Sequence, residues 1–405
     1  MASTTFSPLR HRTFLFILLG SLFSNFGNAI QSVGAAWQLT ATGQPADVVA
    51  LVQSAMNLPI MLLALPAGTW ADMFDKRRVM LTAQAAMFAL SILLVLLQIA
   101  GITSPALIIG LTTLLACGVA CFNPALAASV GSIVPRAELG AGIALNILAF
   151  NVARSLGPAI GGGIVAIGGA KAAFAVNALS YLMVIVILMR WRIALPPSGP
   201  PRPLPVVIGE GFSFAIGSSQ IRTVLLRAFT FTLCGSAAWA LMPLVATQML
   251  GEGSVTFGLL LGALGLGAVI GAGSSTWFRQ RFTSETIIRA AGLVYGAVCV
   301  CVALGPGLVP SLLLLVLGGA GWVQALSGCA VAGQMWSPPP LIGRVTAMVS
   351  SLTFGGLALG SWLWGHFAEA FGVTAALMGS GALMIVLPLI GLIWPMPRHE
   401  DAKPA

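Results

Sequence analysis

Charge is what this sequence has least of. Of its 405 residues, 7% are Asp, Glu, Lys or Arg and 58% are apolar, whereas soluble globular domains carry about a quarter of their residues as charges. That deficit excludes an ordinary water-soluble protein. A span with its connecting loop takes roughly 30 to 35 residues, so this length allows about twelve spans and leaves no room for a soluble catalytic domain. A mean hydropathy of +0.99 excludes a porin, whose alternating strands give only a weak hydropathy signal.

Cysteine is also sparse and misplaced for disulfides. All six, Cys117, Cys121, Cys234, Cys299, Cys301 and Cys329, lie in apolar segments, which implies packing rather than a disulfide framework. Cys117 and Cys121 share a helical face, yet no His or carboxylate lies near them in sequence to complete a metal site. The three histidines, His11, His366 and His399, fall at predicted span ends or tails. No H-E-x-x-H or G-x-S-x-G occurs, and Gly161-Gly162-Gly163 lacks the lysine of a phosphate loop. The sequence therefore predicts no enzyme, no cofactor, no metal and no ATP coupling.

What is present is a series of apolar runs. They predict spans near 13–37, 47–70, 79–99, 105–132, 141–166 and 171–190, then near 222–248, 255–278, 286–304, 309–335, 342–367 and 373–394. Between the sets, residues 195–206 carry consecutive prolines that cannot be helical. The expected fold class is all-α and polytopic, with twelve transmembrane helices in two six-helix halves. The expected division is 1–192, a linker 193–221 with a short interfacial helix near 209–220, 222–397, and a tail 398–405. A single offset of 203 residues aligns Gly68 with Gly271, Arg78 with Arg281, Pro135 with Pro338, Gly140 with Gly343, Gly157 with Gly360 and Gly162 with Gly365. Such a repeat is expected of a carrier built from parallel halves.

The net charge of +9 reads as orientation, not nucleic-acid binding, because the bases cluster in short turns beside apolar runs. If spans alternate from an inner N-terminus, sixteen bases, among them Arg10, Arg12, Arg77, Arg202, Arg281 and Arg344, fall inside and Lys171 alone falls outside. Both termini are expected in the cytoplasm of a multi-pass protein of the cell inner membrane.

The loop after the second span reads Gly68-Thr69-Trp70-Ala71-Asp72-Met73-Phe74-Asp75-Lys76-Arg77-Arg78. It resembles the major facilitator superfamily pattern Gly-x-Leu-Ala-Asp-Arg-x-Gly-Arg-Arg, with Trp70, Met73 and Asp75 departing from it. The resemblance implies a conformational switch carried by Gly68, Asp72, Lys76, Arg77 and Arg78, with glycine permitting close helix approach. Arg154-Ser155-Leu156-Gly157-Pro158-Ala159-Ile160-Gly161-Gly162 resembles the Gly-Pro-x-x-Gly-Gly motif in the fifth span of facilitator antiporters, and predicts a kink there. Residues 23–32, then Asn146, Asn151, Arg154, Glu210-Gly211 and Gly343-Arg344, narrow the resemblance to the branch containing the enterobactin exporter and macrolide-efflux-like proteins. Membership implies export of a small amphipathic molecule, drug-like or siderophore-like, by alternating access. Uptake of a nutrient, or a non-transporting receptor or scaffold, are the alternatives.

Polar groups within spans are costly in hydrocarbon and usually face a cavity. Asn25, Asn28, Gln31 and Ser32 on the first span, Gln53 and Asn57 on the second, Asn123, Trp239, Trp322 and Gln324 are the candidates. The resemblance implies that spans one, four, seven and ten line the cavity. For each candidate the alternative is a helix-to-helix hydrogen bond. No carboxylate falls at midplane, and Asp47 and Glu369, at the mouth on the outer side, are the candidates for proton coupling. Arg154 lies about 20 Å along the fifth span at 1.5 Å per residue, near midplane. It is expected either to bond carbonyls freed around Pro158 or amides such as Asn28 and Asn151, the favoured reading, or to attract an anionic or acceptor-rich cargo.

Overall fold

Proline, glycine and short capped turns cut the apolar runs into helices at nearly the positions that hydropathy predicts. The computed structural model describes residues 6–190, 204–338 and 341–387, with backbone alone for residues 71, 72, 136, 204, 205, 207, 208 and 210. Arg192, Arg202, most of the Pro-rich linker and the tail 398–405 lie outside the described residues, as does the side chain of Asp72.

The first half contains α1 (Arg12–Ala41), α2 (Ala46–Met73), α3 (Lys76–Ile99), α4 (Pro105–Ile133) and α5 (Leu139–Arg190). Helix α5 runs 52 residues through a reversal at Gly169, whose φ of 70° and ψ of −176° leave the helical region; its two limbs, 139–168 and 170–190, occupy the fifth and sixth predicted spans. Then come α6 (Leu204–Gly217), α7 (Ser219–Gly235), α8 (Ala237–Ala240), α9 (Met242–Leu244), α10 (Ser254–Arg281), α11 (Ser284–Ala303), α12 (Leu308–Met335), α13 (Ile342–Phe371) and α14 (Val373–Val386). Among the described residues, nine helices are long and apolar enough to cross a membrane. With the double length of α5, the interrupted stretch α7–α9 and α14, they fit a twelve-span layout.

One end of the helices carries the turns with Lys76, Arg77, Arg190 and Arg281, and is called the basic end below. Among the described residues, all seven with positive φ are glycines, at 43, 101, 169, 251, 305, 307 and 372, and all lie in turns at the opposite end. Tight reversals after a helix need that left-handed conformation, which only glycine adopts without a Cβ penalty. At the basic end, side chains cap instead. Asp75 accepts the Arg78 amide at 3.1 Å to start α3, and Arg77 donates to the Leu188 and Met189 carbonyls at 2.8 and 3.1 Å, closing the last turn of α5. Asp75, a departure from the family pattern, thus has a local reason to be an acid.

The 203-residue offset extends to the backbone. Helices α4 and α12 begin at 105 and 308, and α5 and α13 at 139 and 342; the reversals at Gly169 and Gly372 keep the same spacing. Packing repeats as well. A Cβ on Gly157 would meet Ala29 of α1 at 2.6 Å, and one on Gly360 would meet Leu233 and Ser236 in and beside α7. A Cβ on Gly162 would meet the Ser254 carbonyl of α10 at 2.5 Å, and one on Gly365 the Ala50 side chain of α2 at 2.6 Å. Each half therefore uses one glycine to pack inside itself and a second, five residues on, to pack against the other half.

One expectation needs correction. The seventh span is not a continuous helix over 222–248: it breaks after Gly235, again at Leu241, and ends in a π-turn at Val245–Met249. Pro243 has no amide to donate to the Trp239 carbonyl one turn earlier, and Gln53 of α2 supplies that donor from the other half at 3.4 Å. Around Pro158 the backbone angles stay helical; the departure inside α5 falls at Gly169, in the turn expected between the fifth and sixth spans.

Candidate functional site

A cavity of about 390 Å³ lies between the halves, near the middle of the helices. Nine of the ten residues singled out from the sequence line it: Asn25, Asn28, Gln31, Ser32, Gln53, Asn57, Asn123, Trp239 and Trp322. They arrive on helical stripes, since residues three and four apart share a face. Thus α4 contributes Thr112, Leu115, Ala116, Val119 and Asn123, and α5 contributes Phe150, Arg154 and Pro158. Thr353, Phe354 and Leu357 of α13 complete the wall; the apolar character of that run concealed them, although Thr353 and Leu357 stand four apart.

Gln324 is the exception. Two residues from Trp322 it lies on the opposite side of α12, where its Nε2 donates to the Gly271 carbonyl at 3.0 Å and to Ser274 Oγ at 3.2 Å. It joins α12 to α10 and leaves the cavity to Trp322 and Leu326, one turn apart.

The polar wall on α1 is held from behind. Tyr181 donates to Asn28 Oδ1 at 2.5 Å, and Asn177 donates to Gln31 Oε1, so both amide oxygens are occupied by the second limb of α5. The approach is close because Gly27 has no side chain: a Cβ there would meet Ser180 Oγ and Asn177 Oδ1. On α2, Asn57 Nδ2 donates to the Gln53 carbonyl at 2.6 Å. Trp322 is 1% exposed, packed 5.3 Å from Phe231, 5.2 Å from Tyr295 and 5.9 Å from Trp239.

Arg154 contradicts its favoured reading. Pro158 does withhold the amide that would pair with the Arg154 carbonyl, but the guanidinium does not turn back to the backbone. Among the described residues it makes no hydrogen bond or ion pair; Asn28 is engaged by Tyr181, and Asn151 donates to the Ile147 carbonyl. The guanidinium lies over the Trp239 ring instead, 4.8 Å from its centroid, a cation–π contact at the cavity wall.

Beyond the cavity, away from the basic end, the halves are sealed. Ser254 Oγ donates to the Gly162 carbonyl at 3.2 Å, Trp37 stacks on Phe257 with centroids 6.4 Å apart, and Ser54 Oγ donates to the Ala358 carbonyl at 2.7 Å. The two coupling candidates sit in this seal and not on the cavity wall. Glu369 of α13 accepts the Ala46 amide at 2.7 Å, taking one of the unpaired donors at the start of α2, and Asp47 lies 3.7 Å from His366. Gly68, expected at a close helix contact, has open space where its Cβ would be; the tight glycine contacts between halves run from the sealed end to mid-helix, as far as Gly265 against Ser155. Lys76 is buried at the start of α3, and Arg78 is exposed.

The family model described as transmembrane secretion effector matches residues 3–405. The chain is 26% identical over 401 residues to the multidrug efflux pump Tap of Mycobacterium tuberculosis, covering 96% of this chain and 94% of that one. It is 27% identical over 293 residues to the enterobactin exporter EntS of Escherichia coli O9:H4, covering 69% of this chain and 67% of that one. Among solved structures, the nucleoside transporter NupG superposes with a TM-score of 0.77 at 10% identity over 94% of this chain and 99% of that one, a likeness of fold.

Proposed function

We propose, for a chain that belongs to the transmembrane secretion effector family of the major facilitator superfamily, a secondary transporter that exports a small amphipathic molecule from the cytoplasm by alternating access. The observation that carries this reading is the cavity at the junction of two pseudo-symmetric halves, closed on one side by contacts that are all non-covalent and mostly between small residues. In this reading the halves are 1–192 and 222–397, joined by 193–221, with the tail 398–405. The positive-inside bias supports an inner-membrane protein with the basic end and both termini on the cytoplasmic side. The seal then lies on the outer side, and cargo enters the cavity from the inside.

Export follows when the α5–α10 and α2–α13 contacts part and equivalent contacts form at the basic end. The Gly68–Arg78 loop is the proposed switch, because it joins α2 and α3 where that second closure must occur. Asp47 and Glu369 are the proposed coupling carboxylates in an antiport cycle, since each ties α2 to α13 and protonation would remove the charge that holds the tie. ATP and nucleic acid have no part in the cycle.

Cells with and without the protein test the direction: an exporter lowers the internal level of its cargo, an importer raises it, and a scaffold changes neither. Labelling of a cysteine at position 202 by an impermeant reagent outside intact cells would overturn the orientation. Export unaffected by collapse of the pH gradient would remove the proton and both carboxylates from the cycle.

A further inference from the structure

We infer that the cavity selects an anion carried on a planar aromatic frame, with the acidic group on Arg154 and the ring against Trp239 and Trp322. The inference rests on the export reading for its direction, but its chemistry comes from the wall. Among the described residues lining the cavity, Arg154 is the one ionised group; no carboxylate accompanies it. A guanidinium offers five donors in a planar fork, and this one has an aromatic face beneath it and no acceptor among the described residues. An anionic group supplies that acceptor through charge-assisted hydrogen bonds, which are shorter and stronger than neutral ones.

The neutral groups point the same way. The indole N–H of Trp239 and of Trp322 are buried without an acceptor, as is Thr112 Oγ1, and all three residues line the cavity. Leaving a buried donor unpaired is costly, and although these three atoms are shut off from the open cavity as they stand, a ligand oxygen would gain at any of them that a side-chain shift uncovers. With one bond already accepted by each of the Asn28 and Gln31 oxygens, those amides offer chiefly their N–H groups. On α2 the balance shifts, because Asn57 and Gln53 each commit one N–H to a carbonyl and keep side-chain oxygens. The wall therefore leans toward donors on α1 and α5 and toward acceptors on α2. A cargo with an acidic acceptor at one end and a hydroxyl or amide N–H at the other matches both sides. A cation of the same size would face Arg154 with no carboxylate on the cavity wall to offset it and meet repulsion.

Purified protein in lipid nanodiscs is titrated with naphthalene-2-sulfonate, 2-naphthol and 2-naphthylmethylammonium, probes of one ring and three charges, with quenching of tryptophan emission as the readout. The sulfonate should bind about tenfold or more tighter than the ammonium. Arg154→Gln should abolish that preference, and Arg154→Lys, which keeps the charge without the fork, should retain its sign. Binding of the ammonium as tightly as the sulfonate in the wild type overturns the inference without recourse to any variant, and so does a preference that survives Arg154→Gln. In parallel, cells with and without the protein are loaded with anionic, neutral and cationic fluorophores. Lowered internal levels confined to the anions support the inference, and lowered levels of cations alone overturn it while export stands. Equal accumulation of the whole panel counts against export and leaves the binding titration as the measure of the cavity.

Discussion

Replacing Gly258 by alanine should drive the protein out of the sealed conformation without weakening its helices. In the structure a Cβ at 258 would meet the Pro158 carbonyl oxygen at 2.6 Å and the Gly162 Cα at 2.9 Å, and both are backbone atoms that cannot rotate away. Overpacking of this kind costs about 1 to 3 kcal/mol. The cost applies only while α5 and α10 are pressed together. The intrinsic gain from alanine in a helix, about 0.5 to 1 kcal/mol, applies equally whether they are together or apart and cancels from the equilibrium. The population ratio of unsealed to sealed protein should therefore rise by on the order of 5- to 150-fold. Spin labels at Thr42 and Glu252, both exposed at the sealed end, in a background with the six native cysteines replaced, would report the change as a shift toward longer distances by pulsed electron resonance. Gly273→Ala on the same helix is the control, because its Cβ would meet nothing within 4 Å. An unchanged distance distribution for Gly258→Ala, or an equal shift for Gly273→Ala, would refute the reasoning that these glycines set the balance between states.

Asp75→Ala should lower stability by about 1 kcal/mol through loss of the α3 cap, read as a lower melting temperature with unchanged cargo profile; normal stability would mean that the cap is dispensable. Gln324→Ala should also cost stability, about 1 kcal/mol for its hydrogen bonds to α10, and leave cargo selection alone; an altered cargo profile at normal stability would return Gln324 to the binding wall. Asp72→Asn should insert and accumulate near normally but export slowly, measured as initial efflux rate per molecule, and a wild-type rate would reduce the loop to a membrane anchor.

Hydropathy alone placed most helix boundaries within a few residues, because a span is fixed by a thermodynamic requirement, burial of about 20 apolar residues, that composition reports directly. The cavity was legible for a related reason: amides and indoles in hydrocarbon need partners, so Asn25, Asn28, Asn57 and Asn123 could be picked out individually. Gln324 shows the limit. Its type matched its neighbours', and only its angular position relative to Trp322, two residues away, sends it to the other face. The break in the seventh span was hidden because Pro243 sits in an apolar run, and the consequence, a Trp239 carbonyl served by Gln53 of the other half, depends on a contact 186 residues away in sequence. The partners of the acids at the seal were hidden in the same way: Glu369, expected at the outer mouth, accepts the Ala46 amide where α2 starts, 323 residues away in sequence.

The contacts divide by what they must do. Within the second half, a Cβ on Gly267 would collide with the Val316 carbonyl, and one on Gly319 with the Leu264 carbonyl, so α10 and α12 lie backbone to backbone along a seam that a rocking motion need not open. The Gly162–Ser254 and Gly365–Ala50 contacts, at 2.5 and 2.6 Å from the glycine Cβ positions, are nearly as close, yet they join halves that must separate in each cycle. Small residues suit both tasks, since in lipid their close approach supplies packing in place of the hydrophobic effect. What distinguishes the breakable contacts is how near water their polar groups lie. His366 and Glu369 are exposed and Asp47 is half-buried at the α2–α13 junction, so water can satisfy these groups when the junction opens, whereas Gln324, whose bonds tie α12 to α10, is buried within one half. The seal is thus weak in a chosen way: its glycines set how tightly the halves close, and its polar edge lowers the cost of parting.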